Sequence, residues 1–102
     1  MDQHDKIIVK VDPDLEGIIP GFLLNRQADI QTIQAALEQS DYETIQVAGH
    51  KMKGVGGGYG FDAITTISRS IQQAAENQDG EGVRGGVDEL ASYLERIEVL
   101  FE

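Results

Sequence analysis

His50, Lys53 and Gly54 form the constellation in this sequence whose residue types and spacing are best suited to chemistry. They lie in the stretch GHKMKGVGGGYG, residues 49–60, which holds half of the chain's twelve glycines. On a helix turning about 100° per residue, offsets of three and four place Lys53 and Gly54 beside His50 on one face. Gln46 and Gly57 share that face, whereas Ile45, Ala48, Gly49, Met52, Gly56 and Tyr59 fall on the side that must meet a core. A neutral imidazole offers a nitrogen lone pair near neutral pH, an ammonium beside it attracts negative charge, and a glycine leaves bare backbone where a bulky group could approach. The charge pattern agrees: none of the eighteen acidic residues falls between Thr44 and Phe61, where the only charges are Lys51 and Lys53. An anionic group arriving at His50 would meet no carboxylate from this segment.

The glycines need such a reason, because each interior glycine costs a helix roughly 1 kcal/mol relative to alanine. Gly56, on the inner side, would let a neighbouring helix pack closely; Gly54 and Gly57, on the outer side, would clear space around His50. Other glycine-rich motifs do not fit. A phosphate-binding P-loop has its lysine directly after the second glycine, and Val55 stands there. The dinucleotide fingerprint would need a glycine where Tyr59, Phe61 or Ala63 occurs, and a preceding strand. Asp12, Asp14, Glu16 and Gly17 imitate the start of a calcium loop, but Leu23 occupies the closing position that needs a bidentate acid.

The elements that would position this face read as helices. After a β-branched segment, Ile7–Val11, Asp12 and Pro13 mark a helix start, and Pro20 restarts or kinks that helix. Phe22, Arg26, Ile30, Ile33 and Leu37 then recur at helical spacing, with Arg26 the only polar member. Ser40-Asp41-Tyr42-Glu43 has the form of a capping box, predicting a second helix from Ser40 that carries residues 41–59. The third helix presents Phe61, Ile64, Ile67, Ile71, Ala74 and Ala75 and stops at Asn77-Gln78-Asp79-Gly80. The fourth presents Val83, Val87, Leu90, Leu94, Ile97 and Phe101. No strand pattern is evident outside residues 7–11. The expected fold is all-α: an antiparallel four-helix bundle over residues 12–102, with residues 1–11 as an N-terminal extension and a short N-terminal helix.

Composition narrows the function. A chain of 102 residues makes one domain. With no cysteine, and with His4 and His50 far apart, there is no metal site to expect, and the chain fits a reducing, cytoplasmic setting. A net charge of -10 argues against nucleic acid and anionic membrane surfaces, and no apolar run is long enough to span a bilayer. His4, near the terminus, has no such neighbours. A protein partner is expected, and a monomer, since each helix has one clear apolar stripe.

His50-x-x-Lys53-Gly54, followed by small residues and then Tyr59-Gly60, resembles the motif of histidine-containing phosphotransfer (HPt) domains. The likeness extends over most of residues 12–100, through Pro20 and Phe22, the Asp41-Tyr42 turn and the bundle layout. Val55 departs from the serine or alanine frequent there, and the Gly56-Gly57-Gly58 run is richer in glycine than usual. The resemblance implies that His50 accepts a phosphoryl group from an aspartyl phosphate on a receiver domain and passes it to another receiver. Lys53 would neutralise the phosphoryl oxygens, Gly54 and Gly57 would permit their approach, and Gln46 and Lys51 are auxiliary candidates. The magnesium such transfer needs would sit on the receiver, so no cofactor is expected here. The implied partners are response-regulator receiver domains and a hybrid sensor kinase. No ATP-binding segment is present, so autonomous kinase activity is not expected. The competing reading is a helical interaction module that docks a receiver but carries no phosphate.

Overall fold

The computed structural model describes residues 6–102; His4 lies outside them. A strand, β1 (Ile7–Val11), leads through a 3-10 turn (Pro13–Leu15) into α1 (Ile19–Glu38). Then follow α2 (Tyr42–Gly56), a second 3-10 turn (Gly57–Tyr59), α3 (Asp62–Glu76), α4 (Gly80–Arg96) and β2 (Ile97–Phe101). Each helix packs against the next, and α1 closes the ring on α4, giving a four-helix bundle. The 3-10 turn is capped by Asp12, whose carboxylate accepts from the Asp14 amide at 2.9 Å. Pro20 sits in the first turn of α1, where its missing N–H breaks no helical bond, so it restarts the helix and does not kink it.

The predicted stripes form the core: Phe22, Ile30, Ile33, Ile45, Met52, Phe61, Ile64, Ile67, Ile71, Val83, Val87 and Leu90 are all buried. Arg26 holds its place in the α1 stripe by two contacts. Its guanidinium lies 4.8 Å from the centre of the Phe22 ring and its Nε donates to Asp29 at 2.8 Å. Phe22 in turn stacks on Phe61 at 5.3 Å and meets Tyr59 edge-on at 5.0 Å, which ties α1 to the turn between α2 and α3.

Three sequence expectations are corrected. The cap of α2 is Asp41, not Ser40: its carboxylate accepts from the Thr44 amide at 3.2 Å and the Thr44 hydroxyl at 2.6 Å. Ser40 is occupied with ending α1. It adopts φ 53°, its amide donates to Leu37 at 3.0 Å and the Asp41 amide donates to Ala36 at 2.8 Å, the paired bonds of a left-handed helix stop. The connection between α3 and α4 repeats the device, with Gln78 at φ 54° and Asp79 capping Gly82 at 3.0 Å.

Second, α2 does not continue to Tyr59 as an α-helix. It tightens after Gly56 into the 3-10 turn, which ends at Gly60 with φ 92°, a conformation that favours glycine. Third, Ile97 and Phe101 belong to a strand and not to the fourth helix. β2 pairs parallel with β1 in the register Ile7↔Ile97, Val9↔Val99, Val11↔Phe101. Val9 and Val11 face the core while Ile8 and Lys10 face solvent, the alternation of a half-buried strand. Parallel strands require a long crossover, and here the entire bundle supplies it.

Candidate functional site

The candidate site is built on the outer face of α2. Asp41 anchors the helix at its start, and the hydroxyl and then the amide of Thr44 hold the Asp41 carboxyl below the usual aspartate range. Glu43 in the first turn and Lys53 in the last complement the helix dipole. Ile45, Ala48, Gly49, Met52 and Gly56 are buried, which leaves the opposite face to solvent. There His50 is exposed, Lys53 is half-buried and Gly54 is exposed. Gln46 is half-buried on the same face, one turn before His50, and Lys51 is exposed to one side.

The glycines divide by what a side chain would meet. At Gly49 a Cβ would come within 3.2 Å of both Gln72 Cβ and the Ser68 carbonyl, so α3 passes directly behind His50. At Gly56 it would lie 2.9 Å from Thr65 Oγ1 and 3.1 Å from Ile64 Cβ and the Phe61 carbonyl. These two glycines serve helix packing. At Gly54 a Cβ would meet nothing within 4 Å, so packing places no demand on that residue. Gly57 starts the 3-10 turn, and its Cβ would lie at ordinary distance from Thr65 Oγ1 and from Asp62 Oδ1, 3.8 Å away.

Two α3 residues therefore reach this region that local spacing in α2 could not reveal. Asp62 brings a carboxylate to the Gly57 end of the face, just past the acid-free window. Thr65 donates its hydroxyl to the Lys53 carbonyl at 3.2 Å, across twelve residues of sequence. Only the pairing of α2 with α3 reveals either contact. On the other flank, a groove of about 420 Å³ runs between α1 and α2, lined by Gly17, Ile18, Gly21, Asn25, Val55 and Tyr59 among others. Ile18, Val47 and Val55 are exposed apolar residues around it and around His50. Between Gly17 and Leu37 the only charges are Arg26 and Asp29, which pair with each other. In a strongly acidic protein, residues 17–37 and 44–61 thus carry no unpaired acid, and the remaining acids of α1 and α2, Glu38 and Glu43, lie at the connection between the two helices.

Among the described residues, no group of three or more His, Cys, Asp or Glu side chains could hold a metal ion, and no helix is long and apolar enough to cross a membrane. The model of the family described as Hpt domain matches residues 21–99, a span that takes in α2, α3 and α4 whole. No curated protein and no solved structure matches the chain.

Proposed function

The chain belongs to the Hpt domain family, whose general role is histidine phosphotransfer in phosphorelays, and on that premise we propose that His50 is the residue that carries the phosphoryl group. A ring nitrogen of His50 attacks the phosphorus of an aspartyl phosphate on a receiver domain. The new N–P bond forms as the P–O bond to the aspartyl carboxylate breaks, and that carboxylate leaves with the electron pair. The other ring nitrogen keeps its proton, which solvent can later take. Transfer onward is the same displacement reversed, with a second receiver's aspartate as nucleophile.

Lys53 faces the charge that develops on the equatorial oxygens, and Gly54 leaves room for them. Gly57 chiefly starts the 3-10 turn, because Asp62 stands beside it and would repel a phosphoryl group there. Gln46 and Lys51 remain auxiliary positions at the edge of the face. Hpt domains interact with receiver domains, and the apolar, weakly charged α1–α2 flank with Ile18, Val47 and Val55 is the surface we assign to that docking. Magnesium would come with the receiver's acidic pocket.

The observation that carries the reading is the exposed His50 with Lys53 beside it and open space at Gly54, in a segment, residues 44–61, that itself holds no acidic residue. The test is transfer from a panel of phosphorylated receiver domains to wild type and to His50→Gln. Acid-labile label that depends on His50 is expected. A folded protein that takes no label from active donors would favour the docking module that carries no phosphate, and label persisting in His50→Gln would move the site elsewhere.

A further inference from the structure

We propose that Thr65 is a positioning residue for phosphoryl transfer, acting through Lys53; this rests on the reading of His50 and Lys53 above. The C-terminal turn of α2 is an unusual platform for a cation that must be held in place. Lys53 is followed by Gly54, Gly56, Gly57 and Gly58, residues with the greatest backbone freedom to lose, and the helix changes to 3-10 geometry within this run. Left to local forces, such a turn frays.

The structure supplies an anchor from outside the turn. Thr65 on α3 donates its hydroxyl to the Lys53 carbonyl at 3.2 Å. A helical carbonyl has two lone pairs and can accept this bond beside its helical one. The hydroxyl reaches it because Gly56 lacks a side chain: a Cβ there would come within 2.9 Å of Thr65 Oγ1. Gly56 is thus the gap, Thr65 the clamp, and the backbone of Lys53 the part held. The bond of Thr65 is to the backbone of Lys53, so its part in transfer runs through that residue. Its effect is to fix the point from which the Lys53 side chain extends toward the phosphoryl oxygens, and preorganised charge is what lowers such a barrier.

The test is a double-mutant cycle in the complete chain, combining Thr65→Val, Thr65→Ser and Thr65→Ala with Lys53→Ala. Two readouts are followed: the rate of transfer from a phosphorylated receiver domain at saturation, and hydrogen exchange of the amides of residues 54–58. Thr65→Val is expected to slow transfer roughly three- to tenfold, the factor one ordinary hydrogen bond represents, with little change in the receiver concentration at half-saturation. Thr65→Ser restores the rate. Thr65→Ala behaves like Thr65→Val, which excludes crowding by the valine methyl as the cause. In the Lys53→Ala background Thr65→Val has no further effect on transfer, whereas a residue needed only for stability would still lower it.

Wild-type label on His50 with Thr65→Val equal to wild type in rate overturns the positioning role alone. An equal loss with and without Lys53 also overturns it. A wild type that takes no phosphate overturns the phosphotransfer reading and with it the catalytic sense of the clamp; unchanged exchange at residues 54–58 in Thr65→Val would separately show that the clamp holds nothing.

Discussion

Gly54 and Gly56 stand two residues apart on one helix, yet alanine at the two positions should shift stability in opposite directions. Both glycines have negative φ, so an alanine is unstrained at either, and both substitutions gain helix propensity, about 0.5–1 kcal/mol. At Gly54 nothing opposes that gain, because the new methyl meets no atom within 4 Å. Gly54→Ala should therefore stabilise the domain by up to about 1 kcal/mol, raising the melting temperature by about 4 °C for a domain of this size.

At Gly56 the methyl would meet Thr65 Oγ1 at 2.9 Å, Ile64 Cβ at 3.1 Å and the Phe61 carbonyl at 3.1 Å. None of these can yield cheaply. The Phe61 carbonyl accepts from the Ile64 amide at 2.9 Å in the first turn of α3, and Thr65 Oγ1 is tied to Lys53. Overpacking a close helix contact costs about 1–3 kcal/mol, more than the propensity gain, so a net loss of about 1–2 kcal/mol is expected. The two variants should differ by about 2–3 kcal/mol in urea denaturation at equal m-value. Gly56→Ala as stable as Gly54→Ala would refute the reasoning, because α2 and α3 would then not approach as closely as the contacts require. A bulky residue at Gly54, in contrast, should slow phosphoryl transfer while leaving the circular dichroism spectrum intact.

Two further outcomes follow from single groups. Ser68 is fully buried and its hydroxyl has no hydrogen-bond partner, so Ser68→Ala should raise stability by about 1 kcal/mol in denaturant titration; a clear loss would mean that the hydroxyl is satisfied in solution. The Asp41 carboxyl is held below its ordinary value by Thr44, so the native state favours the charged form more than the unfolded chain does. Its contribution is complete above about pH 4 and is lost as the pH falls through the native value. The difference in melting temperature between wild type and Asp41→Asn, which keeps a neutral cap, should therefore close on acidification; a gap constant from neutral pH to pH 3 would exclude the carboxylate as its source.

How much was legible beforehand depended on the range of the forces involved. Helices are local, so the apolar stripes of α1, α3 and α4 and the outward face bearing His50, Lys53 and Gly54 could be read from spacing alone. The misplaced cap at Ser40 shows the limit even of local reading. Ser-x-x-Glu fits a capping box, but the same serine was needed in left-handed geometry to end α1, and the next residue could cap instead. Ile97-Glu98-Val99-Leu100-Phe101 fits both periods, three-to-four and two. It becomes a strand because β1 lies beside it to satisfy its backbone, a partner from the opposite end of the chain.

The site divides in the same way. The sequence by itself determined the residues that could do the chemistry, because side chains three and four apart on a helix are neighbours whatever surrounds them. Tertiary structure alone decided which glycines serve packing and which leave space, since that depends on where α3 lies behind Gly49 and Gly56. It also decided that Asp62 stands beside Gly57 and that Thr65 holds the Lys53 carbonyl. Those contacts arise from the close pairing of two helices, and no periodicity within either helix encodes the height at which they meet.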